Sequence, residues 1–394
     1  MVFDAIASAK PDAVFDLLEQ FNADARPRKV NLTIGIYKDE NLRSELFPSV
    51  RRAKELVASQ ELAADYLPID GLVEMVDLLG PLVFGQWEEA SGRIYGAHCV
   101  GGTGALCVGA QLLFHEVSPH FYIPHLTWPN HRGVLERIGA KIETYPYYSQ
   151  EKGGLEFDLM VAALERMPKK SVVLLHPCCH NPTGCDPSLQ QWKELSLVMR
   201  EKELIPFFDC AYQGLGDGIE QDTMAIKTFL QDGHEMLVAY SCSKNFSLYC
   251  QRVGVLFAVC PNLEVKERVK SQVKRVIRGL YSNPPAHGAR IVAEVLKRED
   301  LRSMWQTDLA RVRRRLNLMR EGLTQRLVAQ HKHFAYLRGN KGMFSMLDLS
   351  LSQIQELRRK YGIYLLENGR LSLTGLNDKN LDDVANSILK IRGS

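Results

Sequence analysis

Lys244 sits in the run Tyr240-Ser241-Cys242-Ser243-Lys244-Asn245-Phe246, directly after the apolar stretch Met236-Leu237-Val238-Ala239-Tyr240. An amine held at a strand end and flanked by hydroxyls can form a Schiff base with a carbonyl, provided burial or a nearby cation keeps a fraction of it neutral. A lysine alone is usually solvated, so its company decides. Two more strand-like runs end in polar clusters. Leu174-Leu175-His176 leads into Pro177-Cys178-Cys179-His180-Asn181-Pro182-Thr183-Gly184, and Phe207-Phe208 leads into Asp209-Cys210-Ala211-Tyr212-Gln213-Gly214. Arg252 follows Lys244 by eight residues, and upstream Gly101-Gly102-Thr103-Gly104 introduces an apolar helix.

These groups suit one cofactor, pyridoxal phosphate. Its aldehyde needs an amine, which Lys244 supplies. Its pyridine nitrogen must stay protonated to accept electrons, and a carboxylate such as Asp209 beside it favours that form by charge. Asn181 and Tyr212 can donate hydrogen bonds to the ring oxygen. The phosphate needs amides, hydroxyls and a cation. A glycine-rich turn opening a helix offers amides and the positive end of the helix dipole, and Ser241 and Arg252 complete the cradle.

The elements that must position these residues are legible as a rhythm. Strand-like pieces at His120–Ile123, Val172–Leu175, Ile205–Phe208 and Val253–Phe257 alternate with helical ones such as Leu189 to Lys202. That pattern predicts a largely parallel sheet covered by helices. The strands are uniformly apolar, as expected when both faces are buried. Ligands in such sheets bind beyond the carboxyl ends of the strands. After Ser282-Asn283-Pro284-Pro285 the character changes. A long basic helical stretch from about Arg302 to Gln330 is followed by strand-like pieces near Phe344–Leu347 and Arg370–Leu373, which predicts a second, smaller domain.

The 394 residues exceed the usual single core. Hydrophobic content of 45% and charged content of 24% are those of an ordinary soluble protein. The net charge of +3 is spread without a basic block, so nucleic acid is not implied. Apolar runs fall short of the roughly 20 residues of a membrane helix, and no secretory signal is apparent. Nine cysteines, an odd and irregularly spaced number, point to reduced thiols in a cytoplasm. The spacing of His176, Cys178, Cys179, His180 and Cys185 fits no zinc pattern, so no metal is expected.

The chain strongly resembles the class I pyridoxal-phosphate-dependent aminotransferases, most closely the aspartate and aromatic ones. The matching segments are Ile34 to Asp39, Tyr66 to Gly71, Gly101 to Leu106, Trp128 to His131, His180 to Gly184, Asp209 to Gly214, Ser241 to Phe246, Arg252 to Gly254, Tyr281 to Gly288, Gly342 to Phe344 and Gly369-Arg370. They run in family order over nearly the whole chain. Singly, each has an ordinary reading: Asp209 as a helix cap, Trp128 as core, Arg278 as a solvated arginine on the amphipathic stretch Val273 to Arg278. Together and in order they do not.

The resemblance implies an α/β, fold-type I architecture: a large cofactor domain over residues 46–311, with a mostly parallel seven-stranded sheet between helices, and a small α+β domain over 312–394 joined by residues 1–45. It implies that Lys244 is the Schiff-base lysine and proton shuttle, that Asp209 pairs with the pyridinium, and that Asn181 and Tyr212 bond the ring oxygen. Gly102, Thr103, Ser241 and Arg252 would hold the phosphate, joined by Tyr66 from the neighbouring subunit, and Trp128 would stack on the ring with His131 and His176 in support. Arg370, with Asn181, Trp128 and the backbone at Gly35, would take the substrate α-carboxylate. Arg278 would cross a homodimer interface to the distal carboxylate. Two guanidinium clamps match the two carboxylates of aspartate or glutamate, with 2-oxoglutarate or oxaloacetate as the amino acceptor. An aromatic aminotransferase and a non-catalytic binding protein of the same fold are the alternatives. Departures from the family pattern at Thr33, Pro68 and Cys250-Gln251 remove no chemical group. Thr33 and Pro68 bear on substrate preference and loop closure.

Overall fold

The computed structural model describes residues 2–8, 12–60, 64–85 and 87–392. Its centre is a seven-stranded sheet. In chain order the strands are β1 (Ile94–Val100), β2 (His120–Pro124), β3 (Lys141–Tyr145), β4 (Val172–Leu175), β5 (Ile205–Cys210), β6 (Met236–Ser241) and β7 (Val253–Val259). Across the sheet they run β1-β7-β6-β5-β4-β2-β3. Every neighbouring pair from β6 to β3 is parallel, and β7 alone is antiparallel, to both β1 and β6. The sheet is therefore mixed with one reversed strand, which an apolar run such as Val253–Val259 cannot announce in advance.

The uniformly apolar strands have a simple consequence. Successive side chains point to opposite faces, so a continuous run feeds two cores at once. One core takes Val172, Leu174, Phe207, Leu237, Ala239 and Leu256, and the other takes Val173, Leu175, Phe208, Val238, Tyr240, Val255 and Phe257. Helix α1 (Gly101–Glu116) packs its small residues Ala105, Gly109 and Ala110 close to the first face. Helix α2 (Leu189–Glu201) covers part of the other through Trp192 and Leu195. The start of α2 is fixed by a capping box, in which the Ser188 side chain and Gln191 satisfy each other's backbone N–H groups. Helix α3 (Leu263–Leu280) buries only Val273 and Ile277 and is otherwise amphipathic.

The long helix α4 (Glu299–Val328) is unbroken and leads into the C-terminal region. There Phe344–Met346 pairs antiparallel with Arg370–Ser372, and Ile363–Tyr364 pairs in parallel with Val30–Asn31 near the N-terminus. Leu17, Tyr364 and Leu366 form a small core of their own with Val14 and Phe21. These contacts support our proposal that residues 1–45 belong with a small domain over 312–394 and that residues 46–311 form the large one. The 311/312 division falls inside α4, so a continuous helix would join the two parts. Among the described residues no helix is long and apolar enough to cross a membrane, and all nine cysteines are free.

Candidate active site

The sheet's strand ends converge on a cavity of about 230 Å³. Asp209 reaches it from the end of β5, with Ala211 and Tyr212 just beyond. Ser241 ends β6, and Ser243 and Lys244 follow in the next turn. Gly102 and Thr103 come from the first turn of α1, while Trp128, Asn181 and Arg252 complete the walls.

Lys244 retains some exposure through the cavity. Even so, burial is the largest influence on its amine and holds its pKa below the ordinary lysine value; Asp209 opposes this, and Arg252 and Arg370 reinforce it. The Nζ lies 5.1 Å from the centroid of the Tyr212 ring. Burial pushes the Tyr212 hydroxyl up as well, so it stays protonated at neutral pH, and Asn181 Nδ2 donates to that hydroxyl at 3.3 Å.

Asp209 is buried and would be driven toward its neutral form by that burial. The hydrogen bond to His131, joined by the electrostatic influence of His131, His176 and Lys244, outweighs burial and holds the carboxyl below its usual value. His131 Nε2 lies 2.9 Å from Asp209 Oδ2, and its Nδ1 lies 2.9 Å from Thr127 Oγ1. His131, His176 and Asp209 bring ligand atoms within 4.8 Å of one another, but both nitrogens of His131 are engaged in this chain, which therefore reads as a support for the carboxylate. Replacing His131 by Leu weakens the opposition to burial, so the Asp209 pKa rises. Because the carboxylate is present above its pKa and lost as pH falls through it, the acid limb of a kcat against pH profile is expected to move to higher pH in His131→Leu. An unshifted limb with the same maximum would remove His131 from the support of Asp209.

One end of the cavity is a close-packed cradle that relies on its glycines. Gly101 has φ +71°, and a Cβ there would meet the Arg252 guanidinium at 2.5 Å; one on Gly102 would meet Ser241 Cβ at 2.8 Å. This close approach brings the first amides of α1, unpaired within the helix, toward Ser241, Ser243 and Arg252. Arg252 Nη1 bonds Ser243 Oγ at 3.3 Å and the Tyr249 carbonyl at 3.2 Å. Three hydroxyls, free amides, an arginine and a helix N-terminus at one end of a cavity, with a lysine and a buried carboxylate further in, fit pyridoxal phosphate. Ser243 was not singled out from sequence. Its signal was there, a second hydroxyl immediately before the lysine.

Arg370 is buried, at 4% exposure. It bonds Asn181 Oδ1 at 3.1 Å and the Thr33 carbonyl, and its guanidinium stacks 4.3 Å above the Phe344 ring. Its Nε has no partner, and no carboxylate pairs with it among the described residues. Burial pushes the guanidinium down to about 10, with Tyr212 and Asp12 opposing, so it remains charged at neutral pH. A buried cation whose contacts are all neutral is a ready carboxylate clamp. Gly35 packs against the same Phe344 ring. The contributions of Phe344 and of the Thr33 carbonyl are not deducible from spacing, because they come from residues far apart in the chain.

Arg370 meets the cavity wall through Asn181 without lining it itself, and two further candidates stand out in solvent. Tyr66 is 91% exposed. Arg278 lies in the last turn of α3, also exposed, with its guanidinium hydrogen-bonded to Ser282 Oγ.

Comparison with known proteins agrees with this geometry. Residues 27–388 match the family model for aminotransferases of class I and II. The chain is 38% identical to an aspartate aminotransferase of Pseudomonas aeruginosa, covering 99% of each, and 38% identical to a tyrosine aminotransferase of Klebsiella pneumoniae, covering 99% of this chain and 100% of that one. The crystal structure of an aromatic-amino-acid aminotransferase from Burkholderia pseudomallei, covalently bound to pyridoxal phosphate, superposes with a TM-score of 0.96 at 40% identity over 99% of both chains. With the motifs, the fold and the cavity in agreement, the chain belongs to the class I and II aminotransferases.

Proposed function

We propose that this protein is a pyridoxal-phosphate-dependent aminotransferase that moves the amino group between aspartate or glutamate and 2-oxoglutarate or oxaloacetate. The observation that carries the reading is the convergence of Lys244, Asp209, Asn181, Tyr212, Ser241 and Arg252 on one cavity. The full-length likeness to aspartate aminotransferases supports it.

When bound, pyridoxal phosphate supplies a carbon that holds the amino group and a ring that takes up electrons from the bond broken at Cα. The chain's own residues do the rest. Asp209 keeps a proton on the ring nitrogen, and His131 keeps Asp209 ionised. Asn181 and Tyr212 donate to the ring oxygen. The α1 amides with Thr103, Ser241 and Arg252 hold the phosphate, and Trp128 covers a ring face. Arg370, set by Asn181 and the Thr33 carbonyl and flanked by Gly35, grips the α-carboxylate and so fixes the Cα–H bond relative to the cavity. The Lys244 amine, kept partly neutral by burial, takes the Cα proton and returns it on the other side of the exchange.

We further propose a homodimer in the cytoplasm with shared active sites. The exposure of Tyr66 and Arg278 on their own chain supports this, since both would then reach a partner's cavity: Tyr66 to the phosphate, Arg278 to the distal carboxylate. Steady-state rates on aspartate, tyrosine and phenylalanine with 2-oxoglutarate test the substrate, with aspartate expected to be the best. Arg278→Ala is expected to lower kcat/KM for aspartate about 10- to 150-fold, the loss of one charge-assisted contact of about 1.5–3 kcal/mol, while leaving phenylalanine turnover within about twofold. Unchanged aspartate turnover would rule out the dicarboxylate assignment and favour an aromatic substrate.

A further inference from the structure

A second set of unpaired donors lies apart from the active-site cavity, where the loop after β5 meets the C-terminal region. A cleft of about 370 Å³ there is lined by Asp217, Arg320, Glu321, Arg338, Asn340 and Lys341, among others. Arg320 comes from α4, and the last three precede the strand Phe344–Met346. Lys341 pairs with Asp217, and Arg338 lies 3.4 Å from Glu321. That leaves Arg320. Among the described residues no carboxylate pairs with it, and its guanidinium bonds neutral oxygens, Asn317 Oδ1 at 2.6 Å and the Gly342 carbonyl.

Arg320 and Asn340 are each only 4% exposed. Arg320 Nε and Asn340 Nδ2 are both buried with no hydrogen-bond partner. Native proteins satisfy nearly all buried donors, and a buried charge without a counter-ion is costlier still. Burial pushes the Arg320 guanidinium down to about 10, and the Asp186 carboxylate opposes this without forming an ion pair with it. The cleft thus combines one buried cation without a paired carboxylate, two unsatisfied donors on different elements, and a rim where Arg338 and Lys341 each sit beside a carboxylate.

We propose that this cleft is a binding site for a small oxyanion, a phosphate or a carboxylate, held by Arg320 and Asn340 and rimmed by Arg338 and Lys341. An anion with several acceptor oxygens satisfies donors from both elements at once and supplies the charge that Arg320 lacks. The site also touches the seam of the molecule. The Lys341 N–H donates to the Gly184 carbonyl at 2.6 Å, at the end of the loop that carries Asn181. Three residues beyond Lys341 lies Phe344, beneath Arg370. The bound anion braces the junction between the loop of Asn181 and the segment under Arg370.

The test uses the protein saturated with pyridoxal phosphate, so that the α1 cradle is already filled. Inorganic phosphate, against sodium chloride at equal ionic strength, is expected to raise the wild-type Tm by about 2 °C, and calorimetry is expected to register one phosphate per chain. A parallel acetate titration separates the two sources: a rise with acetate as well assigns the site to carboxylates in general, and a rise with phosphate alone assigns it to phosphates. Asn340→Asp is nearly isosteric and puts a carboxylate into the cleft itself. It is expected to keep its fold and lose the anion-dependent rise. Lys341→Gln, at the rim, is expected to show a rise reduced at least twofold. No anion-dependent change in the wild type, or the same change in all three proteins, overturns the proposal.

Discussion

Lys244→Ala is expected to lower kcat for transamination by at least about 10⁴-fold. Both the tether for the cofactor carbonyl and the group that moves the Cα proton disappear together, and proton transfer alone accounts for about 10²–10⁴. The side chains around Lys244 are poor substitutes: Tyr212 is held protonated by burial, Arg370 stays charged, and Asp209 is engaged with His131. The fold should survive, because burial already disfavours the charged amine at this position. Removing it relieves a cost, and the Tm should stay level or rise. Kinetics and thermal denaturation on the same preparation separate the two effects. Activity within tenfold of wild type would remove Lys244 from the chemistry. Lost activity accompanied by a collapsed Tm would make it structural.

The second large effect falls on Arg370. Arg370→Gln removes the charge beside Asn181 and leaves the Thr33 carbonyl and Asn181 Oδ1 with a weaker partner. Each buried acceptor left unpaired costs about 1–3 kcal/mol, and the substrate loses a charge-assisted pair. A fall in kcat/KM of about 10³-fold is expected for every amino acid, aromatic or acidic, because all share the α-carboxylate. That generality distinguishes Arg370 from Arg278, whose loss should matter for dicarboxylates alone. Arg370→Lys should recover little, since a point charge cannot reproduce a planar fork stacked on Phe344. A loss confined to aspartate would exchange the proposed roles of the two arginines.

The sheet and most of the cavity were legible in the chain for the same reason. Runs such as Val172–Leu175 and Ile205–Cys210 are apolar throughout because both faces are covered, so the polar residues that close them stand out, and in an α/β sheet those positions line the ligand crevice. Lys244, Asp209, Asn181 and Ser241 are all of this kind. The antiparallel course of β7 was not legible, since pairing direction leaves no mark on a buried apolar strand. Nor were the supports made by distant residues: the Thr33 carbonyl meets Arg370 across more than three hundred positions, and Phe344 comes beneath it from the strand paired with Arg370's own. Tyr66 and Arg278 mark a different boundary. Their proposed roles call for a second subunit, and on a single chain both are exposed to solvent. Arg320 was invisible for the opposite reason: in sequence it is one more charge on a long basic helix, and only burial without a paired carboxylate sets it apart.

The most direct test is to reduce the yellow, cofactor-loaded protein with borohydride, which fixes the cofactor carbon to whichever amine it joins, and to map the modified peptide by mass spectrometry. The modification is predicted on Lys244 alone, at one per chain, and absent from Lys244→Ala. A cofactor fixed to another lysine, or a protein that takes up none, would contradict the reading of this cavity.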